Sequence, residues 1–378
     1  MAHERTVALL RAPNGDEPLA WATSIGDVVF SSTIAGRDPA SSQLADGAEA
    51  QFNIAFQNLR RLAERAGLTA DDIAQLTVVI NDASYRQYIT KPWLELFPTD
   101  DRPARKTNHA RLPDGELVNV HFVAAPGGRR KPLRIEGLAH RDPMPMGVRS
   151  GNIVLSSVLG GDDPATGKRV EGAGAQIDQA FQNMLTLTEG AGGTVDDIAH
   201  VWVFMDMDYQ PSMVRAWLDM FPREGNRPAR KTISYGLGAE SVIQVQFTAV
   251  VGTRRENFEV PGIGHHDPIP LANKQGNLLY SSGIVGTNPA TGLLADGAER
   301  QAIQALENVA KVLELAGGTM GNLIQATALV ADNQHRPAVM SAWREFFPSA
   351  EDQPALHILE LGLPGRDTVV QMNVVGAF

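Results

Sequence analysis

Cysteine is absent from the 378-residue chain, which excludes disulfides, thiolate zinc sites and a cysteine nucleophile. Basic residues are in the minority, with 33 Lys and Arg against 43 Asp and Glu, and this argues against a nucleic-acid partner. No apolar run reaches the length of a membrane span, and the short run at residues 7–10 does not make a secretory signal. We therefore expect a soluble, cytoplasmic protein without a membrane partner.

One pattern recurs three times along the chain at an offset of 125 residues. A glycine, a polar residue, three apolar residues and a Ser-Ser pair occupy residues 26–32, 151–157 and 276–282. A tryptophan shortly before a Phe-Pro pair also recurs, at Trp93, Trp217 and Trp343. This period is too long for a solenoid, so each copy is a domain-sized unit. We place the units at residues 1–129, 130–254 and 255–378.

Each unit has the same predicted order of elements. In the first unit a short apolar strand at residues 28–30 precedes a helix, whose apolar residues from Phe52 to Leu62 are spaced by three and four. That helix is predicted to end at Gly67. A β-branched strand at 76–80, a helix through Trp93, and strands near 105–110 and 117–125 follow. The unit is α+β, with helices on one face of a sheet. Residues 126–132 and 252–264 are predicted to be linkers.

The motifs of these units resemble those of the Rid family, the YjgF-type reactive intermediate deaminases, which also carry an endoribonuclease L-PSP-like label. The motifs are Ser-Ser-Gly after a strand, Asn-Pro-Ala-Thr-Gly, a Gln and an Asn seven apart in the helix, Ala-Gly, and Pro-Ala-Arg. The resemblance implies three tandem Rid/chorismate-mutase-like domains that form a covalent pseudo-trimer around a central β-barrel. It also implies up to three ligand clefts between units, in a chain that is monomeric or a dimer of pseudo-trimers.

The resemblance implies a function as well, namely hydrolysis of reactive enamines or imines to ketoacids and ammonia without a metal or organic cofactor. Its clearest functional residue is the arginine of Pro-Ala-Arg, which holds the substrate carboxylate and corresponds here to Arg105 and Arg230. A planar guanidinium suits a carboxylate because it donates two parallel hydrogen bonds. The alternative is an arginine in an interface ion pair. The third unit has Leu356, which cannot bind a carboxylate.

Other site positions are implied by the same resemblance. The strand-end serines would either bind ligand or cap a turn. Threonines stand in the family's frequent cysteine position, and amides stand near its last-strand glutamate. The substrate-binding candidates besides the two arginines are Ser32, Ser157, Ser282, Thr107, Thr232, Asn119, Gln244 and Gln246.

No unit keeps the glutamate that many family members use to position water. Strand alternation leads us to expect Arg105, Thr107, His109, Asn119 and His121 on one sheet face. His121 or His109 would then handle the proton, since imidazole titrates near neutral pH. The alternative is that His121 is a buried histidine satisfied by polar neighbours. Glu360 is a third catalytic candidate, or else it pairs with a His or Arg of a neighbouring unit.

The second and third units also carry His140 with Asp142, and His265 with Asp267, where the first unit has Glu17. Histidine and aspartate can bind metals, but no further residues stand at ligand spacing. We therefore predict no metal site, and interpret these residues as Asp-Pro turns with a polar histidine.

Three functions remain open at this level. The first is Rid-type hydrolysis of a small carboxylate-bearing enamine, imine or amide. The second is cyclic-amide ring opening of the barbiturase and cyanuric-acid-hydrolase kind, which uses Ser-Lys pairs; the chain offers Ser31, Ser156 and Ser281 with Lys106 and Lys231, but His357 in the third unit. The third is ligand binding without catalysis.

Overall fold

The computed structural model describes residues 4–12, 17–125, 129–237, 241–363, 365 and 367–378. The first sheet comprises β1 (Thr6–Arg11), β2 (Pro18–Ile25), β3 (Val28–Ser31), β4 (Ile34–Ala35), β5 (Ile73–Ile80), β6 (Ala104–His109) and β7 (Val118–Ala124). Helices α1 (Ala48–Arg65) and α2 (Thr90–Leu96) connect its strands.

The second sheet comprises β8 (Lys131–Leu133), β9 (Gly147–Ser150), β10 (Ile153–Ser156), β13 (Ile198–Met205), β14 (Ala229–Ser234) and β15 (Ile243–Val250). A small ribbon, β11 (Asp162–Asp163) with β12 (Lys168–Arg169), precedes helices α3 (Ala173–Gly190) and α4 (Gln210–Met220). The third sheet comprises β16 (Arg255–Phe258), β17 (Ala272–Gln275), β18 (Leu278–Ser281), β19 (Ile284–Val285), β20 (Leu323–Val330), β21 (Ala355–Glu360) and β22 (Val370–Ala377). Its helices are α5 (Ala298–Leu315) and α6 (Arg336–Phe346).

The three sheets share one topology. In the first sheet the strand order is β1-β2-β3-β7-β5-β6, and the other two repeat this order with their own strands. The last two strands of that order are parallel, and the helix between them makes the crossover; the remaining pairs are antiparallel. The parallel strand at the edge carries the Pro-Ala-Arg segment in the first two units.

Helices cover one face of each sheet because one stripe of each long helix is apolar. Phe52, Phe56 and Leu59 of α1 pack in one core cluster with strand residues of the first sheet. Trp93 of α2 is fully buried, as are Trp217 and Trp343 at the equivalent positions. Burial of such large aromatic side chains fixes each short second helix on its sheet.

The opposite faces of the three sheets meet in a shared apolar cluster. Each unit contributes to it, for example with Val28, Val148 and Leu278. No sheet closes on itself among the described residues, so the expected central β-barrel is not confirmed. The observed architecture is a mixed α+β fold with several separate sheets.

The two predicted linkers are partly wrong. Residues 131–133 form β8, which pairs with β9, and 255–258 form β16, which pairs with β17. Their Gly, Pro and basic residues are typical of linkers, but both segments contain edge strands. Each of these strands pairs with a strand that lies further along the chain. Residues 126–128 of the first predicted linker lie outside the described residues. No helix in the described part of the chain is both long and apolar enough to cross a membrane.

Candidate active site

The strand registers divide the predicted site residues between two faces of a sheet. Arg105 pairs with Leu76, which packs under the helices, whereas His121 pairs with Thr77 on the other face. Asn119 lies on the His121 face and Thr107 lies on the Arg105 face. His109 has the register of the Arg105 face, but it ends its strand and its side chain lines the same cavity as His121. The prediction of one common face is therefore wrong, because alternation was counted along each strand without the pairing that sets their relative phase.

Arg105 lies at the contact between the first and second sheets and is 1% exposed. Its guanidinium carbon sits 4.7 Å from the ring centroid of Trp93. Its Nη2 donates to Asp142 of the following unit, and its backbone N–H donates to Ser157 Oγ at 2.9 Å. Burial lowers the pKa of Arg105, while Asp142 acts to raise it. The nitrogens Nε and Nη1 are buried without a partner.

Arg230 repeats this geometry at the contact between the second and third sheets. Its guanidinium lies 4.6 Å from the Trp217 ring, Nη2 donates to Asp267, and its backbone N–H donates to Ser282 Oγ at 3.1 Å. Here too Nε and Nη1 have no partner. The two sites differ in what else holds the aspartate: Arg86 contacts Asp142 at 3.2 Å, and Gln210 donates to Asp267 at 3.0 Å.

The contact between the third and first sheets lacks both charges. Leu356 replaces the arginine, and Glu17, which aligns with Asp142 and Asp267, turns to Arg344 at 2.8 Å. Backbone hydrogen bonding persists, since Thr33 N–H donates to Leu356 O at 3.2 Å. An arginine and an aspartate are therefore present together or absent together at the three contacts.

Asp142 and Asp267 are the residues that the sequence interpretation missed, having assigned them to turns. The signal was available, because the two units with Pro-Ala-Arg each precede a unit with aspartate, and the unit with Leu356 faces Glu17. His140 and Asp142 line a cavity of about 340 Å³ between the first two units. Arg105 is not in that lining, so Asp142 stands between the cavity and the guanidinium.

The predicted serines contact backbone atoms. Ser157 Oγ accepts from Arg105 N–H and donates to Pro145 O at 2.7 Å, and Ser32 Oγ accepts from Trp21 N–H at 2.9 Å. The described hydrogen bonds of these serines connect backbone segments at the strand ends, which agrees with the capping alternative. Among the other binding candidates, Thr107 is half-buried, and the Thr232 hydroxyl is buried without a partner.

Lys106 and Lys231 bond to amides of the next unit and not to serines. Lys106 Nζ donates to Gln244 Oε1 at 2.8 Å and lies 4.1 Å from the Phe204 ring centroid. Lys231 Nζ donates to Gln371 Oε1. Burial lowers the pKa of Lys106 to about 7 and that of Lys231 to about 8. The structure therefore does not form the Ser-Lys pair that ring opening of a cyclic amide would use.

The lowered pKa of Lys106 predicts a pH-dependent stability in the alkaline range. Between the folded pKa of about 7 and the unfolded pKa of about 10.4, the unfolded chain binds a proton that the folded chain does not. The free energy of unfolding should therefore rise with pH across this window, by about 4 kcal/mol. Urea unfolding followed by circular dichroism at several pH values checks this. Lys106→Met should reduce the rise and leave the part that Lys231 causes, whereas the exposed control Lys131→Met should leave the rise unchanged. Equal slopes in all three proteins would contradict the assignment.

The catalytic candidates are spread over different places. His121 stacks on His357 of the third unit, with ring centroids 3.8 Å apart, and burial lowers its pKa well below the usual value. The backbone N–H of His109 donates to Tyr235 Oη at 2.6 Å. Glu360 accepts from Asn333 N–H at 2.9 Å and lies 3.8 Å from Arg111 of the first unit. None of the three contacts Arg105 or Arg230.

Of the last-strand amides, Gln244 bonds to the neighbouring unit, whereas Gln246 bonds within its own unit. Gln244 accepts from Lys106, and Gln246 Nε2 donates to Ser156 O at 3.4 Å. Asn119 is buried with neither its Oδ1 nor its Nδ2 partnered. Within the described ranges, no group of three or more His, Asp or Glu side chains is placed to hold a metal ion.

The fold and the buried arginines define a protein built from repeated α+β units with polar contacts between them. The family model described as Endoribonuclease L-PSP matches residues 10–125 and 270–375, more than half of the chain. The chain therefore belongs to this family, the Rid family, with its domain repeated along the polypeptide.

Individual relatives agree with this assignment. A RutC family protein from Haemophilus influenzae is 31% identical over 110 residues, which are 29% of this chain and 85% of that protein. A Capra hircus protein named 2-iminobutanoate/2-iminopropanoate deaminase is 33% identical over 100 residues, 26% of this chain and 73% of that protein. A chorismatase crystal structure covers 81% of this chain and 93% of its own, with a TM-score of 0.55. At 15% identity it supports the fold alone.

Proposed function

We propose that the chain is a Rid-type hydrolase that deaminates a small carboxylate-bearing imine or enamine in clefts between its units. Units 1–129, 130–254 and 255–378 would form a covalent pseudo-trimer, with active clefts at the first–second and second–third contacts. The observation that carries this proposal is the pair of arginines, each buried against a tryptophan with Nε and Nη1 unpartnered. Buried donors without partners cost about 1–3 kcal/mol each, which a ligand carboxylate would recover.

Asp142 and Asp267 give these clefts a carboxylate that the last strands lack. The ligand carboxylate would displace Asp142 from Arg105, and Arg86 would retain the aspartate beside the cleft. There it is placed to accept a proton from water as the water oxygen adds to the imine carbon. The aspartate passes this proton to nitrogen, which gives the carbinolamine. The hydroxyl proton is then transferred to nitrogen through the aspartate as the carbon–nitrogen bond breaks, so that ammonia leaves and the ketone forms. Gln210 would hold Asp267 in the second cleft.

This assignment also explains why the third contact differs. Leu356 offers no hydrogen-bond donor, and Glu17 is bonded elsewhere, so the contact has neither the anchor nor the carboxylate. We therefore propose two working clefts in each chain. The relative named as a deaminase of 2-iminobutanoate and 2-iminopropanoate gives the substrate class to test first.

The test generates 2-iminobutanoate in the assay with an amino-acid oxidase and follows ammonia release. The wild-type chain should accelerate release over the uncatalysed reaction. Arg105→Ala and Arg230→Ala should each keep about half of the maximal rate, because the clefts are separate, and the double variant should lose about 100-fold. The matched control Arg60→Ala removes an exposed arginine that lies 3.8 Å from Glu64.

Two outcomes would contradict the proposal. If the wild-type chain releases no more ammonia than buffer does, the hydrolase assignment fails and ligand binding without catalysis is favoured. If the double variant matches Arg60→Ala, the reaction does not use the two arginines. Circular dichroism of every variant confirms that a lost rate is not a lost fold.

A further inference from the structure

A second cavity lies between the three sheets, away from the arginine clefts. Its volume is about 120 Å³, and all three units line it. Aromatic rings form much of the wall, among them Phe30, Trp202, Phe204, Tyr235 and Tyr280. The stacked imidazoles of His121 and His357 lie in the same wall.

No charged side chain lines this cavity among the described residues. Its histidines are neutral at pH 7, since burial lowers the pKa of His200 to about 3 and that of His357 to about 4. An ionic ligand here would lose its hydration without gaining a counter-charge, which is strongly unfavourable. An uncharged ligand with flat faces fits such a wall.

The three units contribute different residues to the cavity wall at equivalent positions of the repeat. In the registers of the three sheets, the position of Gln75 holds His200 and Gln325, and the position of Thr77 holds Trp202 and Thr327. The position of His121 holds Gln246 and Asn373. The aromatic side of the wall is therefore the second unit, which contributes Trp202, Phe204 and Tyr235. At the positions of His200 and Trp202 the first and third units contribute polar side chains, namely Gln75, Thr77, Gln325 and Thr327.

Polar atoms of the wall lack partners. Asn108 Oδ1 and Asn373 Oδ1, both acceptors, have no hydrogen bond, and neither have His121 Nδ1 and His109 Nε2. Such groups cost free energy when they are left unsatisfied in a buried place. The two asparagine oxygens are available to accept hydrogen bonds from N–H or O–H donors of a ligand.

The cavity has an entrance at the carboxyl ends of β6, β14 and β21. His109, Tyr235 and Leu361 at this end are half-buried, whereas Phe30, Leu155 and Tyr280 at the other end are buried. The cavity is therefore more exposed to solvent at the His109 end than at the Phe30 end.

We propose that this central cavity binds one uncharged, planar aromatic molecule that carries an amide-type N–H donor. The ring packs against the aromatic side of the wall, and the N–H group donates to the free asparagine oxygens. The site is separate from the arginine clefts and is made by all three units together.

Benzamide is the probe, and benzoate is its matched charged control of nearly the same shape. Isothermal titration of the full chain should show one benzamide site, with benzoate binding at least about tenfold more weakly. N,N-dimethylbenzamide, which lacks the N–H donor, should also bind more weakly. Saturation-transfer NMR then tests whether the bound ring is close to the protein.

Thr327→Trp fills the cavity with the residue that the second unit already has at that position, and benzamide binding should be lost. Leu293→Trp, at a side chain that is 69% exposed, controls for the added indole. Arg105→Ala/Arg230→Ala should bind benzamide like the wild type, which separates this site from the clefts. The proposal would be overturned by any of three results: no benzamide binding, equal binding of benzamide and benzoate, or unchanged benzamide binding by folded Thr327→Trp. If Thr327→Trp does not fold, the comparison of benzamide, benzoate and N,N-dimethylbenzamide decides.

Discussion

Replacing Asp142 by alanine is expected to lower the free energy of unfolding by about 3 kcal/mol, because the change leaves the buried Arg105 guanidinium without its counter-charge. Arg105 is 1% exposed in its side chain and Asp142 is 32% exposed, so water can reach the aspartate but not the arginine. Asp267→Ala should act similarly on Arg230, whose side chain is fully buried. Urea unfolding midpoints at neutral pH measure both changes.

The contact between the third and first units shows how this interface is built without the Arg–Asp pair, and it suggests a control variant. The third contact combines Leu356 with a glutamate that points elsewhere, so Arg105→Leu/Asp142→Ala should recover most of the stability that Asp142→Ala loses. Asp178→Ala breaks an exposed ion pair with Arg215 and should cost less than about 1 kcal/mol. If Asp142→Ala is no worse than Asp178→Ala, or if the double variant is less stable than the single variant, the buried pair has been misassigned.

Acidification from pH 7 to pH 5 is expected to lower the free energy of unfolding by about 2 kcal/mol for each buried histidine whose pKa is strongly lowered. His200 and His357 belong to this group, and burial lowers the pKa values of His121, His140 and His265 in the same direction. The folded pKa of His200 is about 3 and that of His357 about 4, both because of burial. The unfolded pKa is about 6.5, so below that pH the unfolded chain gains protons that the folded chain does not. Stability is thus retained above pH 6.5 and lost as the pH falls toward 4, at about 2 kcal/mol per histidine by pH 5.

A matched variant isolates one of these histidines. The first and third units carry Gln75 and Gln325 where the second carries His200, so His200→Gln places a residue that the same position already accepts. It should reduce the loss between pH 7 and pH 5 by about 2 kcal/mol, measured as urea unfolding midpoints across that range. His266→Gln, at an exposed position, is the control. An acid loss that is the same in wild type and His200→Gln would rule out His200 as its source.

Local pattern was enough to predict most elements of the fold. The helix predicted to end at Gly67 is observed as Ala48–Arg65, and the strand predicted at 76–80 as Ile73–Ile80. These predictions succeed because helical and strand periodicities are properties of neighbouring residues. The edge strands Lys131–Leu133 and Arg255–Phe258 were taken for linkers because they are stabilised by pairing with later strands.

The site was only partly predictable for the same physical reason. Arg105 and Arg230 were visible from their motif, but their carboxylate partners lie 37 residues further along the chain, in the following unit. The phase between strands decided that His121 faces the central cavity and not Arg105. The alternation of residues along one strand does not show which residues of the next strand lie on the same face, because the pairing between strands sets that register.

The sequence by itself determined that one α+β unit occurs three times, which elements build it, and which two units keep the arginine. Each of these follows from short-range patterns and from comparison of the chain with itself. Only the tertiary structure decided that the two arginines pair with aspartates of the next unit and that His109, His121, His200 and His357 line a shared cavity. Those outcomes depend on contacts between units and on strand register, which bring together residues that no local pattern connects.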